Sequence, residues 1–288
     1  MKILQVITLS ELGGAQSVVV NLANSLAQEH EVTVVAGTGD GKMWLSLNPF
    51  VKHECIPSLQ RALSPLNEVK TIWALRKLYR KYKPDIIHLH SSKVGVLGRI
   101  AFPKSKIIYT VHGFDSIRIA YRKYLPLEKV LQYQCSAIVG VSNYDECNLR
   151  HEGITRNVSV VYNGVKKPVS LPNNPFKEIG YEKKILCIAR FSPQKNVELF
   201  SKVAALLPQY AFIWIGNQYI YEEEHTSNVF FMGNLPNAGA YNEYVDLFVL
   251  TSNYEGLPMV ILEAMSFGKP VSGRSGTLLP LSPLRTVL

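Results

Sequence analysis

Asn253–Val271 reads NYEGLPMVILEAMSFGKPV, and its residue types specify a turn, a helix and a stop. An apolar run of strand length, Leu247–Leu250, comes just before it. Pro258 stands near the first helical position, where a fixed φ and a missing N–H cost nothing. Gly268 ends the helix and Pro270 prevents its return. Between Glu255 and Lys269 the only charged residue is Glu263, and a helix apolar all round is a buried one. A lone carboxylate there is expensive unless something pairs with it. Glu255 lies just before the helix and Glu263 on its second turn. With a rise of ~1.5 Å per residue, the two carboxylates can hold separate points of one ligand. The free N–H groups of the first turn lie between them and suit an anion. Taken in isolation, the same residues read as a structural ion pair at Glu263 and a solvated loop acid at Glu255.

The rest of the chain repeats the same strand–turn–helix order. Lys2–Leu9 is strand-like and leads through Gly13-Gly14 into a periodic stretch, Ser17–Leu26, which opens a nucleotide-type α/β domain. It lacks the G-x-G-x-x-G fingerprint of dinucleotide binding, but paired glycines at a strand end let backbone amides approach a phosphate or sugar. Glu31–Ala36 is the second strand, and Gly37–Gly41 is expected to be a flexible turn that opens no helix. Asn67–Tyr82 predicts a helix with Ile72, Leu75, Leu78, Tyr79 and Tyr82 inward. Lys70, Arg76, Lys77, Arg80 and Lys81 cover much of its remainder. Asp85–His90, Lys106–Val111, Ala137–Val141 and Val158–Tyr162 are further strands, with Ser142 a good N-cap for the helix between the last two. His88 and His90 share one strand face, yet no third metal ligand is recognisable beside them. His112 follows a strand end and suits a cleft, although a lone histidine there is as readily a satisfied structural residue.

Residues 166–181 are rich in Pro and Asn without apolar period and read as a linker. It separates residues 1–165 from a second α/β domain, 182–288. The second domain restarts at Lys184–Ala189, followed by Arg190 and, five positions on, Lys195 near a helix start. A bidentate guanidinium fork and a mobile ammonium together suit a diphosphate; the plain alternative is a salt bridge and an exposed lysine. Ala211–Ile215 and Val229–Phe231 complete the strand set. Glu222-Glu223-Glu224 reads as a solvated loop face.

Length and composition bound these readings. The chain has 288 residues, 47% hydrophobic and 18% charged, which describes one large or two ordinary globular domains and not a disordered chain. No apolar run reaches ~18 residues and no signal-peptide pattern opens the chain. The four cysteines are scattered without a C-x-x-C pair and read as reduced cytosolic thiols. The net charge of +9 is uneven: residues 1–170 carry 22 Lys/Arg against 12 Asp/Glu, the remainder 9 against 10. A basic first half suggests a phosphate-bearing partner or simply a solvated basic surface. An anionic membrane or a lipid diphosphate is favoured over nucleic acid.

The segment E-G-L-P-x-x-x-x-E-A-M-x-x-G-x-P-V resembles the donor-binding signature of the glycosyltransferase family 4 enzymes, which have the GT-B fold. The resemblance implies two Rossmann-like α/β domains facing across a cleft. It places a contact to the transferred sugar on Glu255 and one to the nucleotide ribose on Glu263, with Gly256, Leu257, Pro258 and Met259 at the donor between them. SELGGAQ resembles the loop that faces donor phosphates and acceptor, which assigns Gly13 and Gly14. YTVHGFD resembles the active-site segment and gives His112, with Glu255, a catalytic role. ARFSPQKN resembles A-R-L-x-x-x-K, so Arg190 and Lys195 would bind the donor's diphosphate. Met232 and Gly233 match the nucleobase-contacting turn. PDIIHLH resembles a cleft-lining strand, with no metal implied. One departure stands out: Asn163-Gly164-Val165 is followed by Lys166 where the family has Asp. After Val271 the resemblance stops, and Ser272–Leu288, with Pro280 and Pro283, is expected to be a truncated ending too short to return to the first domain as a helix.

The function expected is therefore transfer of a sugar, with retention of configuration, from a nucleotide sugar, taken as UDP-linked. The acceptor would be a glycan or a lipid-linked glycan in bacterial-type surface polysaccharide or glycolipid synthesis. No cofactor and no metal are expected, since no Asp-x-Asp occurs. The setting would be cytoplasmic, peripheral on the inner face of the membrane. The rival reading is a truncated, non-catalytic remnant that binds a nucleotide sugar. A third is a nucleotide-sugar epimerase on the same fold.

Overall fold

The structure is a computed structural model that describes residues 1–216 and 226–273. The acidic run Glu222-Glu223-Glu224 and the ending from residue 274 onward lie outside the described residues. The chain divides into two compact units, Met1–Asn163 and Gly164–Leu288.

In the first unit the elements alternate: β1 (Lys2–Leu9), α1 (Gly14–Leu26), β2 (Glu31–Gly37), α2 (Lys42–Leu45), β3 (Lys52–Cys55), α3 (Pro65–Tyr82), β4 (Ile86–His90) and α4 (Ser92–Ala101). They continue with β5 (Ile107–Val111), α5 (Leu125–Leu131), β6 (Ala137–Gly140), α6 (Asn143–His151) and β7 (Val158–Val160). The seven strands form one parallel sheet in the order β3-β2-β1-β4-β5-β6-β7. A parallel sheet is buried on both faces, so its strands read as continuous apolar runs. One core holds Leu4, Val6, Leu89, Tyr109 and Ile138 with Leu75 and Leu78 of α3; the opposite core holds Ile3, Ile7 and Val34 with Val19, Val20 and Ala23 of α1. Gln5 interrupts the run in β1 and is fully buried.

The second unit contains β8 (Lys184–Ile188), α7 (Val197–Leu206), β9 (Ala211–Ile215), β10 (Val229–Phe231), β11 (Leu247–Leu250), α8 (Met259–Ser266) and β12 (Val271–Gly273). Its parallel sheet runs β10-β9-β8-β11-β12, around a core of Phe200, Phe212, Trp214, Phe248 and Ile261. In both sheets the order reverses direction at one point, between β1 and β4 and between β8 and β11. Loops at the strands' carboxyl ends diverge there and leave the crevice in which open α/β sheets bind ligands.

Two local expectations change. The glycine-rich stretch after β2 does open a helix: Gly41 takes φ +73 and α2 follows for one turn. Met43 is fully buried and its N–H donates to Ser10 O at 3.2 Å, so tertiary burial holds a helix too short to show a period. The polar stretch 166–181 packs with the second unit. Phe176 is buried in that core, Tyr244 Oη donates to Leu171 O at 2.7 Å and Asn237 Nδ2 donates to Val169 O at 3.1 Å. Ser142 caps α6 as expected, accepting from Asp145 N at 3.1 Å.

Candidate functional site

The loops at the carboxyl ends of β8 and β11 carry Arg190, Lys195 and Glu255. β8 is fixed to β9 by backbone pairing, and Trp214 Nε1 donates to Ala189 O at 2.7 Å. Arg190 then emerges exposed at the strand end. Asn196 takes φ +53, a conformation asparagine tolerates, and its side chain caps α7 by accepting from Leu199 N at 3.1 Å. Between these points the loop 191–196 is joined to the loop after β11. Asn253 N donates to Gln194 O at 2.7 Å. Gln194 Nε2 donates to Tyr254 O and Asn253 Nδ2 to Pro193 O, both at 2.9 Å. Thr251 Oγ1 donates to Lys195 O at 2.9 Å. This crosslinking brings Lys195 Nζ onto Glu255 Oε1 in an ion pair, with side-chain exposures of 17% and 9%.

Glu255 is therefore not a solvated loop acid. It is buried and paired, because the loop that carries it is anchored to the loop that carries Lys195. Gln194 and Asn253 do that anchoring and were not singled out in the sequence; a pair of side-chain amides in two separate loops has no local pattern.

α8 begins at Met259, with Pro258 in extended conformation as the N-cap residue and no side-chain cap. Gly256, Leu257 and Met259 are buried and Pro258 partly so. The first N–H groups of an α-helix have no intrahelical partner and carry the positive end of its dipole. Glu263, one turn on, forms no ion pair among the described residues, so the structural ion pair considered for it is absent. Burial alone pushes its carboxyl up to about 7. Its neighbour is Gly239, where a Cβ would stand 2.7 Å from Glu263 Oε2. Only a glycine lets the carboxylate pack this closely against the main chain there, and nothing near it in sequence marks it. Gly268 ends the helix with φ +68, as expected for glycine. Met232 and Gly233 follow β10; Met232 N donates to Trp214 O and Gly216 N to Gly233 O, both at 2.9 Å. Their main chain is thereby fixed beside the end of β9.

In the first unit the corresponding crevice lies at β1 and β4. Gly13 is the N-cap of α1, which has no side-chain cap and no acidic residue in its first turn. A Cβ at Gly14 would meet nothing within 4 Å, so open space faces the start of the helix. His112 leaves the end of β5, and His90 Nδ1 lies 3.0 Å from His112 Nε2. His88 Nε2 lies 2.7 Å from Thr110 Oγ1. The structure thus gathers three histidines where the sequence showed two. Among the described residues no cluster of His, Cys, Asp or Glu could hold a metal ion. Burial lowers the pKa of His88 to about 4 and of His112 to about 3, so these rings are neutral near pH 7.

Two successive Rossmann-like α/β units, each with a crevice at its strand switch point, are the parts of a GT-B fold. Solved structures bear this out. HepE from Anabaena, in complex with UDP and glucose, superposes with a TM-score of 0.81 at 20% identity, covering 100% of this chain and 83% of that one. The lipopolysaccharide outer core galactosyltransferase WaaB superposes with a TM-score of 0.66 at 21% identity, covering 96% and 81%. Residues 12–167 match the model for Glycosyltransferase Family 4, and residues 173–273 that for Glycosyl transferases group 1. The chain belongs to glycosyltransferase family 4, as the donor-site signature implied.

Among its relatives, the Escherichia coli UDP-Gal:alpha-D-GlcNAc-diphosphoundecaprenol alpha-1,3-galactosyltransferase is 30% identical over 263 residues, 78% of this chain and 66% of the relative. A Campylobacter jejuni alpha-1,4-N-acetyl-D-galactosaminyltransferase acting on an undecaprenol-diphosphate-linked glycan is 26% identical over 290 residues, 93% of this chain and 77% of the relative. The chain thus spans 66% and 77% of their lengths.

Proposed function

We propose that this protein transfers a hexose-type sugar from a UDP-sugar, with retention of configuration, to a lipid-linked glycan during bacterial surface polysaccharide synthesis. The observation that carries the donor half is the second unit's crevice. It holds Arg190, the Lys195–Glu255 pair, the uncapped start of α8 and a half-buried Glu263 that forms no ion pair among the described residues. A departing nucleoside diphosphate builds negative charge, and Arg190, Lys195 and the helix start are the groups of this unit that would neutralise it. Glu263 would accept from the ribose hydroxyls and Glu255 would hold a sugar hydroxyl while keeping Lys195 in place. Met232 and Gly233 would line the base, and Gly13, Gly14 and His112 would serve the donor phosphates, the acceptor and the sugar. The lipid-linked acceptor is supported by what the relatives act on. The test is a panel of UDP-sugars with an undecaprenyl-diphosphate-linked monosaccharide as acceptor, the product's anomeric configuration read by NMR. An α-linked product from an α-linked donor is expected. Binding of UDP-sugars without any transfer would favour the non-catalytic reading, and an inverted product would refute retention.

The acceptor implies a membrane surface, and α3 offers one. Leu66, Val69 and Trp73 are 75%, 55% and 64% exposed. At this spacing they form one stripe along the helix. Exposed Lys70, Arg76, Lys77 and Arg80 flank it. An apolar stripe bordered by cations is the pattern of a helix lying in an anionic interface. No described helix is long and apolar enough to cross a membrane. Phosphatidylglycerol vesicles should therefore blue-shift the emission of Trp73, less so as salt rises, and Trp73→Ala should weaken vesicle binding. Equal binding to neutral and anionic vesicles would remove the anionic surface from this reading.

A further inference from the structure

His90 occupies a position in the first unit that the donor-site reading leaves without a task. It stands on β4 in register with Ile7 of β1 and Thr110 of β5, is fully buried, and its ring centroid lies 3.9 Å from that of His88. Its Nδ1 is 3.0 Å from Nε2 of His112, with the two rings inclined by only 23°. The main chain that carries His112 is fixed independently. Phe114 N donates to Asp145 Oδ1 at 2.7 Å, Ser142 Oγ donates to Asp145 Oδ2 at 3.0 Å and Ser116 Oγ donates to Gly113 O at 2.8 Å. What remains to be set at His112 is the ring itself, and His90 is the group that touches its Nε2.

A hydrogen bond between two neutral imidazoles contains one proton, so two arrangements are open. In the first, His90 donates from Nδ1, its Nε2 is a bare acceptor, and His112 carries its proton on Nδ1. In the second, His112 donates from Nε2 and His90 buries an Nε2–H. His90 Nε2 has no partner among the described residues, and a buried orphan N–H is rarer in native proteins than an under-satisfied acceptor. The first arrangement follows. We propose that His90 is a positioning residue that fixes His112 as the neutral Nδ1–H tautomer, a hydrogen-bond donor for a hydroxyl of the bound sugar. This rests on the reading of His112 as an active-site residue. A neutral Nδ1–H donates to a sugar oxygen, whereas a bare Nδ1 could only accept from a sugar hydroxyl.

The test uses the full chain labelled with 15N-histidine, with two-bond 1H–15N correlations read near pH 7 and His112 identified by its loss in His112→Asn. The wild-type protein should show His112 as Nδ1–H. His90→Asn should keep that tautomer, because the Asn amide N–H replaces Nδ1–H, and His90→Phe should lose it. With UDP-galactose as probe, UDP release in His90→Phe should fall by up to roughly a hundredfold in kcat, with KM little changed. His90→Asn should restore most of it. An Nε2–H tautomer in the wild type overturns the proposal without reference to activity and without any folding variant at His90. Release lost in His112→Asn but kept in His90→Phe also overturns it. Unchanged release in His112→Asn overturns instead the active-site reading of His112.

Discussion

UDP-galactose should bind this protein with release of about half a proton at pH 7, and Glu263→Gln should abolish that release. The carboxyl of Glu263 has no cation beside it among the described residues and is pushed up by burial to about 7, so near neutrality it is protonated in about half the molecules. Ribose hydroxyls donate, and only the carboxylate can accept from both. Ligand binding therefore selects the ionised form. Affinity should fall about tenfold between pH 8 and pH 6, as the competent fraction declines. A diphosphate diester donor is the correct probe because it has no secondary phosphate of its own titrating there. Glu263→Gln should bind roughly ten- to a hundredfold more weakly, the loss of a charge-assisted hydrogen bond, and do so independently of pH. The free protein should respond in the opposite sense. A carboxyl raised in the folded state favours the native state most at low pH, and that advantage is lost as pH rises from the ordinary 4.5 through 7. Glu263→Gln should then be more stable than wild type at pH 8, by about 2 kcal/mol after allowance for partial solvent access, and nearly equal to it below pH 4. Calorimetry in two buffers of different ionisation enthalpy measures the proton. The same release in wild type and Glu263→Gln would refute the assignment.

Lys195→Ala is expected to be the most damaging single change in the second unit. It removes the ammonium proposed to face the diphosphate and leaves Glu255, with a 9% exposed side chain, as an unpaired buried charge. Breaking a buried pair in this way costs about 3–5 kcal/mol. Losing one preorganised charge at the leaving group costs about a hundred- to a thousandfold in kcat. The two effects separate in the double variant Lys195→Ala/Glu255→Ala. Removing both partners should recover most of the stability, because nothing charged remains buried, while UDP-sugar turnover stays low. Denaturant midpoints and turnover measured on the same samples distinguish them. A double variant with wild-type turnover would reduce the pair to a structural ion pair.

The sequence by itself determined the fold class and the address of the candidate donor residues. Strand and helix periods are local, and so are the proline, glycine and capping signals at Pro258, Gly268 and Ser142. Repeated strand–turn–helix order forces parallel sheets, and in such sheets strand ends such as Ala189-Arg190 and His112-Gly113 face the crevice. The family signature around Glu255 and Glu263 is also continuous in sequence, which made both acids visible at once. What the tertiary structure decided is which groups meet. Lys195 and Glu255 are 60 residues apart, and their pairing depends on side-chain amides in two loops that no period announces. Gly239 meets Glu263 only because the 3-10 helix Ala238–Tyr244 packs against α8, and burial raises the pKa of that carboxyl. His90 and His112 are 22 residues apart and become partners through the register of β4 and β5. Register between parallel strands is set by packing across the whole sheet, and ionisation by burial from every side, so neither is written in the neighbourhood of the residue it governs.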